Sequence, residues 1–210
     1  MAILEHWVKN VYIGEYKEPR ILEDSFSGTT LNTTNWNSKL YTSWTITVNN
    51  SLTLSWWWSW TQWPLVYTKK TFDGTEKKIT VEVWVSSEWG TYLEARRWIL
   101  PDISYTSPLY IISQDVSTYS NTSRALYQTS ATAMNTLQSQ SIVARPYTTK
   151  IILNCTAWTW EVYMNNTLYY SWSVWYALSN CIWRPIFWAA ATSRTSVSCT
   201  ISSVKITVEY

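Results

Sequence analysis

Hydrophobic and polar residues alternate with a period of two along most of the chain, and helical periodicity is almost absent. The segment KITVEVWVS, residues 78–86, shows the pattern clearly, because alternate residues are isoleucine or valine. One short helical turn is predicted at residues 121–126. The alternation predicts strands at residues 78–86, 92–98, 109–114, 124–129, 149–155, 160–165, 167–171, 185–190 and 199–210. Many short strands joined by tight turns favour an all-β fold, a two-sheet antiparallel β-sandwich.

The same alternation sorts strand residues into a core face and an outer face. Where valine, leucine and isoleucine face the core, the residues between them face the other way. If the strands at 78–86, 92–98 and 160–165 share one sheet, its outer face carries Trp84, Tyr92, Tyr163, Glu82, Glu94, Arg96 and Glu161. Aromatic rings stack on sugar rings while charged groups bind sugar hydroxyls, so these residues form a candidate carbohydrate-binding site. The alternative is an ordinary solvated sheet face with cross-strand pairs.

Tryptophan is abundant and glycine is scarce, with 17 Trp and 4 Gly in 210 residues. Tight turns need positive φ, which glycine adopts readily and tryptophan does not. Trp36, Trp84 and Trp160 lie where a large aromatic residue belongs, on or beside strands with apolar partners. Thirteen others fall at turn-like, strand-end or small-residue positions: Trp44, Trp56, Trp57, Trp58, Trp60, Trp63, Trp89, Trp98, Trp158, Trp172, Trp175, Trp183 and Trp188.

Reading these thirteen residues as glycine brings glycine to about 8% of the chain, close to the usual ~7%. The stretch SLTLSWWWSWTQW, residues 51–63, then has the composition of a flexible linker. We therefore hypothesise that the gene uses a recoded stop codon that means glycine and that was translated as tryptophan. The alternative is that the tryptophans are genuine and that residues 56–63 form an aromatic loop for sugars or lipid.

Length, charge and hydropathy exclude several classes of protein. A chain of 210 residues fits one all-β domain, which we place at residues 21–210, after a leader strand or linker at residues 1–20. The 16 basic and 14 acidic residues are scattered, so we expect no nucleic-acid binding. No apolar run approaches the ~20 residues that span a bilayer, so we expect no membrane insertion. The N-terminus lacks a signal-peptide pattern.

Histidine and cysteine are too scarce for the centres that they usually form. The single histidine, His6, nearly excludes a histidine-based triad or metal cluster. Cys155, Cys181 and Cys199 are too few and too irregularly spaced for a zinc site or a disulfide framework. Cys155 alternates with apolar residues, so we expect it to be buried; one disulfide plus an odd thiol is the alternative.

Three stretches resemble the concanavalin A-like lectin and glucanase superfamily, including its laminin-G-like branches. The family's first strand is similar to ILEDSFSGTTLNTTNW at residues 21–36, its late hairpin to TWEVYMNNTLYYS at residues 159–171, and its last strand to SSVKITVEY at residues 202–210. The resemblance covers residues 21–210. It implies a jelly-roll sandwich in which one sheet is often concave and binds sugar.

Several members of the superfamily hydrolyse glycans through a Glu-x-Asp-x-Glu strand, and this sequence departs from that pattern. Glu82 and Glu88 are six residues apart, about 20 Å along a strand, whereas paired catalytic carboxylates lie about 5–9.5 Å apart. Glu82 and Glu94 meet only if their strands pair in the right register. We therefore expect a non-catalytic carbohydrate-binding or surface-attachment module. The alternatives are a laminarinase-like glycan hydrolase or lyase, and a purely structural or oligomerisation domain.

The resemblance also bears on cofactors, partners and location. Calcium is common in the superfamily, but the loop-like acids here are too dispersed to name a site: Glu23, Asp24, Asp73 and Asp102. The leader VKNVYIGEYKEPR is similar to segments at the start of phage tail and other virion proteins. We expect no other cofactor and a glycan or polysaccharide as partner. We also expect an extracellular, virion or cell-surface location. A homo-oligomer within a virion or surface assembly is a further possibility that the sequence leaves open.

Overall fold

Fifteen strands lie within the residues that the computed structural model describes. Those residues are 20–39, 44–56, 65–72, 76–90, 93–100, 111–117, 122–128, 134–141, 144–173, 184–191 and 196–210. The strands are β1 (Arg20–Asp24), β2 (Trp36–Lys39), β3 (Trp44–Val48), β4 (Leu52–Trp56), β5 (Leu65–Thr68), β6 (Lys78–Trp89), β7 (Leu93–Leu100), β8 (Ile111–Ser117), β9 (Thr122–Gln128), β10 (Met134–Ser141), β11 (Tyr147–Asn154), β12 (Thr159–Met164), β13 (Thr167–Ser173), β14 (Arg184–Ala191) and β15 (Val197–Glu209).

Two antiparallel sheets divide the strands between them. The eight-stranded sheet has the order β13-β12-β11-β6-β15-β4-β3, and β1 pairs with the second half of β15. The seven-stranded sheet has the order β10-β9-β8-β7-β14-β5-β2. The hydrophobic core includes Val81 and Val83 from β6 together with Leu93 and Ala95 from β7. The molecule is therefore the all-β jelly-roll sandwich that the sequence predicts.

Two bulges change which residues of β6 and β15 face the core. The pairing of the two strands skips Ser86 on β6 and Ser202 on β15. Before the bulge, Val85 is buried in the core, whereas beyond it the side chain of Glu88 is fully buried. A bulge adds one unpaired residue and re-aims the side chains that follow it. Glu88 therefore enters the interior, although strict alternation assigns it to the face of Glu82.

All nine predicted strands are present, with shifted ends. The predicted helical turn at residues 121–126 is wrong, because residues 122–128 form β9, which pairs with β8 and β10. Alternation missed β1 to β5 and β10, which are short or rich in serine, threonine and asparagine. Across the described residues, no helix is long and apolar enough to cross a membrane.

The cysteines that the structure describes, Cys155 and Cys199, are buried free thiols. This confirms the expected burial of Cys155, while Cys181 lies outside the described residues. Burial raises the pKa of Cys155 to about 12, and the nearby charge of Glu76 adds to the effect. The Cys155 thiol is therefore protonated at neutral pH and is a poor nucleophile.

Candidate active site

The outer face of the eight-stranded sheet carries a row of paired charges. Glu82 on β6 lies opposite Lys150 on β11 and Lys205 on β15. Lys205 also forms an ion pair with Glu23 on β1, with 2.7 Å between nitrogen and oxygen. The hydrogen bond from Lys205 to Glu23 raises the pKa of Lys205. Opposite charges therefore alternate across four neighbouring strands, an arrangement that stabilises a solvated sheet face.

Tyr163, one of the aromatic residues predicted to bind sugar, lies on β12 of the same sheet. Its hydroxyl donates a hydrogen bond of 2.6 Å to Glu161, and this bond raises the pKa of Tyr163. The ammonium group of Lys150 lies 4.7 Å from the centre of the Tyr163 ring, as in a cation–π contact. The Tyr163 ring and hydroxyl therefore both have partners within the protein, while half-buried Trp84 lies two strands away on β6.

The residues predicted to bind carbohydrate do not share one sheet. Four of them lie on the eight-stranded sheet: Glu82, Trp84, Glu161 and Tyr163. Glu94 and Arg96 lie on β7 of the seven-stranded sheet, and Tyr92 lies outside the described residues. The premise that β6, β7 and β12 form one sheet is therefore wrong, because the chain passes from one sheet to the other between β6 and β7. Glu82 and Glu94 consequently do not lie on neighbouring strands.

Strand alternation assigns Glu94 and Arg96 on β7 to the outer face of the seven-stranded sheet. Leu93 and Ala95 are buried in the core, which places positions 94 and 96 on the opposite face. On β9, Ser123 is buried, which places position 124 on the outer face by the same rule. Asp115 on β8 lies opposite both position 96 and position 124, so it belongs to this outer face as well.

A pair of carboxylates must come from two strands, because no two acidic residues in the sequence are two or four positions apart. Glu94 lies opposite Ser117 on β8, and Asp115 lies two positions from Ser117, opposite Arg96. Diagonal partners of this kind are about 7–8 Å apart. Glycosidases use two carboxyl groups about 5–9.5 Å apart, and strand positions at this backbone spacing are compatible with such a pair. Among the paired strands that the structure describes, Glu94 and Asp115 are the only acidic residues placed opposite or diagonal to each other.

Two arginines flank Asp115 in the strand register, Arg96 on β7 and Arg124 on β9. Glu94 instead lies between Ser117 and Ala190, which are uncharged. The positions of Asp115 and Glu94 therefore differ in the charge of their cross-strand neighbours.

The sequence does not identify Asp115 or Arg124 as candidate site residues. The predicted strand ends at residue 114, one residue short of Asp115, and no sequence period connects either residue with Glu94. What brings them together is the antiparallel pairing of β7, β8 and β9. A search for acidic and basic residues in consecutive predicted strands is the sequence signal that could have found them.

Tyr169 ties the two sheets together beneath this face. Its hydroxyl, on β13 of the eight-stranded sheet, donates a hydrogen bond of 2.7 Å to the carbonyl of Ser123 on β9. A register shift in the pairing of β12 with β13 lies next to Tyr169 and allows its side chain to reach inward. Burial raises the pKa of Tyr169 to about 12, against the lowering effect of a backbone hydrogen bond at Gln140. The bond fixes β9 one residue away from Arg124.

Buried Glu88 holds the end of the sandwich where the chain passes between the sheets. Its carboxylate accepts hydrogen bonds from the Arg145 Nη2 at 2.9 Å and Nε at 3.2 Å. The Tyr147 hydroxyl donates to its other oxygen at 2.9 Å. Arg145 lies between β10 of one sheet and β11 of the other. Because the Glu88 side chain is fully buried, its role is to hold these segments rather than to contact substrate.

A cleft of about 460 Å³ lies at the seam between the edge strands β2 and β3. Its lining consists of hydroxyl and aliphatic side chains: Thr29, Thr30, Leu31, Thr33, Ser38, Ile46, Thr47 and Val48. Acid–base catalysis requires a titratable group, and this lining contains none. The cleft is therefore a poorer candidate for an active site than the outer face of the seven-stranded sheet.

The residues considered for metal binding are separated in the structure. Glu23 and Asp24 lie on β1, whereas Asp73, Asp102 and His6 lie outside the described residues. Asp24 accepts hydrogen bonds from the Phe26 backbone at 2.6 Å and from the Trp36 indole at 2.7 Å, so its oxygens have protein partners. Within the described ranges, no group of three or more histidine, cysteine or acidic residues is placed to hold a metal ion.

Solved structures with the same fold include several enzymes that act on glucans. The catalytic domain of an endo-1,3-β-glucanase (laminarinase) from Thermotoga petrophila RKU-1 matches with a TM-score of 0.66 and 12% identity, over 90% of this chain and 98% of that one. A laminarinase from Flavobacterium sp. UMI-01 matches with a TM-score of 0.64 and 17% identity, over 88% and 98%. A GH16 protein of a Bacteroides ovatus mixed-linkage glucan PUL, in complex with a product, matches with a TM-score of 0.63 and 13% identity, over 88% and 99%.

Neither the protein-family models nor the curated proteins gave a match to this sequence. At the identities above, the structural likeness establishes the fold alone. It nevertheless overturns the leading functional expectation, a non-catalytic carbohydrate-binding or surface-attachment module, because laminarinases match this chain over nearly their whole length. Among the alternatives stated with that expectation, the comparison favours a glycan hydrolase.

Proposed function

We propose that this chain is a glycan hydrolase whose active site is the outer face of the seven-stranded sheet. The observation that carries the proposal is the diagonal placement of Glu94 and Asp115 on β7 and β8. The shared fold with laminarinases, over nearly the full length of both chains, supports it. The chain lacks a Glu-x-Asp-x-Glu strand, so the two carboxylates come from neighbouring strands instead of one.

Hydrolysis of a glycosidic bond needs one carboxylic acid to protonate the leaving oxygen and one carboxylate to act as base or nucleophile. In this proposal Glu94 donates its proton to the glycosidic oxygen as the bond to the anomeric carbon breaks. Asp115 assists attack at the anomeric carbon, either through a water molecule or directly. Arg96 and Arg124, which lie on either side of Asp115 in the strand register, bind sugar hydroxyls in this proposal.

The proposed substrates are β-1,3-linked and mixed-linkage glucans, because proteins of this fold include laminarinases and a mixed-linkage glucan protein. Of the residues predicted to bind sugar, Glu94 and Arg96 belong to the proposed site. Tyr92, which precedes β7 in the chain, lies outside the described residues and stays a prediction from the sequence.

The test is the release of reducing ends from laminarin, mixed-linkage glucan and mucin O-glycans. Removal of a general acid or base costs about 10²–10⁴-fold in rate, so Glu94→Gln and Asp115→Asn should each lose that much activity. Glu82→Gln and Glu161→Gln are matched controls on the other sheet and should keep full activity. Absence of turnover on every glycan, or equal loss in the control variants, would contradict the proposal.

A further inference from the structure

Two aromatic residues in the described ranges adopt the left-handed backbone conformation that favours glycine. They are Phe26, with φ of 52°, and Trp158, with φ of 55°. The other non-glycine residues with positive φ there are asparagines, which tolerate this region: Asn50, Asn165 and Asn166. For a bulky aromatic residue, positive φ is strained and needs compensation from its surroundings.

Phe26 has that compensation. Its side chain is buried in the core, with its ring centre 5.8 Å from the ring of Trp36. Its backbone N–H donates a hydrogen bond of 2.6 Å to Asp24. Burial of a large aromatic side chain offsets the strain of one residue in the left-handed region.

Trp158 lies in the turn between β11 and β12, and 46% of its surface is exposed. The turn is formed without the indole, since Asn154 accepts a hydrogen bond of 2.8 Å from the backbone of Ala157. Two residues later, Trp160 is fully buried and its ring centre lies 5.6 Å from that of Tyr170. The same hairpin therefore contains one tryptophan that the core requires and one that stands where a turn needs glycine.

Trp89, at the end of β6, shares the exposure of Trp158 but not its positive φ. It is 63% exposed and immediately precedes Gly90, whose φ is 111°. A Cβ atom at position 90 would lie 2.5 Å from the Val197 side chain, so the chain bends here as only glycine allows. What assigns Trp89 to the same group as Trp158 is the exposure of its indole beside this bend.

We propose that positions 158 and 89 are glycine in the polypeptide that the natural host synthesises, because a stop codon that the host reads as glycine was translated as tryptophan. Trp36 and Trp160, which are both buried, are genuine tryptophans in this proposal. Trp172 packs against the core, and the proposal does not include it. The proposal is independent of the proposed hydrolase activity.

Peptide mass spectrometry of the protein from its natural source tests the proposal directly. Fragment spectra that cover residues 155–164 should show glycine at position 158 and tryptophan at position 160, so that one peptide contains its own control. Spectra that cover residues 86–92 should show glycine at position 89. Tryptophan at positions 158 and 89, or glycine at position 160, would overturn the proposal.

A stability measurement on the recombinant chain gives a second readout. Trp158→Gly should raise the Tm by about 2–4 °C, because it relieves the strain of a bulky residue at positive φ. Trp160→Gly removes a buried ring from the core and should lower the Tm by about 5 °C or more. A Tm for Trp158→Gly that falls as far as that of Trp160→Gly would count against glycine at position 158.

Discussion

The outer faces of the two sheets both carry charged residues, but they arrange them differently. On the eight-stranded sheet, Glu82 lies opposite a lysine on each side, and the nearest described acidic residue across the strands, Glu23, is paired with Lys205. On the seven-stranded sheet, Glu94 and Asp115 lie diagonally on adjacent strands. Isolated, neutralised carboxylates stabilise a solvated surface, whereas two adjacent carboxylates supply the acid and base of hydrolysis. Residue composition alone therefore does not distinguish a solvated sheet face from a candidate active site, because the strand register determines which charged residues are neighbours.

The Glu88→Ala variant tests whether the buried ion pair at the end of the sandwich stabilises the fold that both outer faces share. Glu88→Ala leaves Arg145 without its carboxylate partner in a largely buried position. Removal of one partner of a buried ion pair costs about 3–5 kcal/mol, and the partial exposure of Arg145 favours the lower end. Urea denaturation should show this loss as a lower midpoint with an unchanged slope. A loss below about 1 kcal/mol would mean that Glu88 does not hold the end of the sandwich.

Arg96 and Lys150 sharpen the comparison, because each lies opposite a carboxylate on a different face. On the proposed function, Arg96→Gln removes the positive charge opposite Asp115 in the strand register and should lower glucan turnover about 10–100-fold, the effect expected when one interaction with a charged group is lost. Lys150→Gln is the matched control and should leave turnover unchanged. Initial rates on laminarin give both values, and equal rates for the two variants would remove the distinction between the faces.

Tyr169 connects the faces through its hydrogen bond to Ser123. Tyr169→Phe should cost about 1 kcal/mol at neutral pH, the usual net value of one hydrogen bond. The folded-state pKa of Tyr169 is raised from 10 to about 12. The stability linked to its protonated form is therefore fully present below pH 10 and is lost as the pH rises toward 12. Denaturation curves from pH 9 to 12 should fall more steeply for the wild type than for Tyr169→Phe, and parallel curves would contradict this assignment.

The smallest effect is expected for the surface ion pair between Lys78, at the start of β6, and Glu209, at the end of β15. Lys78 and Glu209 are 2.6 Å apart, and both side chains are more than one-third exposed. Such pairs contribute about 0.2–1 kcal/mol. Lys78→Gln should therefore shift the Tm by no more than about 2–4 °C, and 1 M NaCl should reduce the difference. A larger, salt-insensitive shift would show that this face contributes more than surface charge pairing.

The sequence predicts the fold class and most strands because alternating valine and isoleucine mark strands whose inner face is buried. It fails at Glu88, because a bulge at Ser86 adds one residue and reverses the phase of the alternation. A single extra residue in a run of polar residues leaves no periodic signal. The burial of Glu88 is therefore visible only once β6 is paired with β15.

The candidate site was predictable only in part. Glu94 and Arg96 follow from alternation along β7, but their partners Asp115 and Arg124 depend on which strands pair and in which register. Consecutive strands are adjacent in about two-thirds of cases, and β6 and β7 are an exception because they belong to different sheets. The predicted outer face therefore combined residues that lie on the two sheets.

The most direct test of the difference between the faces is a crystal structure of the Asp115→Asn variant with a laminari-oligosaccharide. We expect the sugar to lie across β7 and β8, with a glycosidic oxygen within hydrogen-bond distance of Glu94. A sugar bound over Trp84 and Tyr163 on the eight-stranded sheet would contradict the assignment of the active face, as would a variant that binds no oligosaccharide at either face.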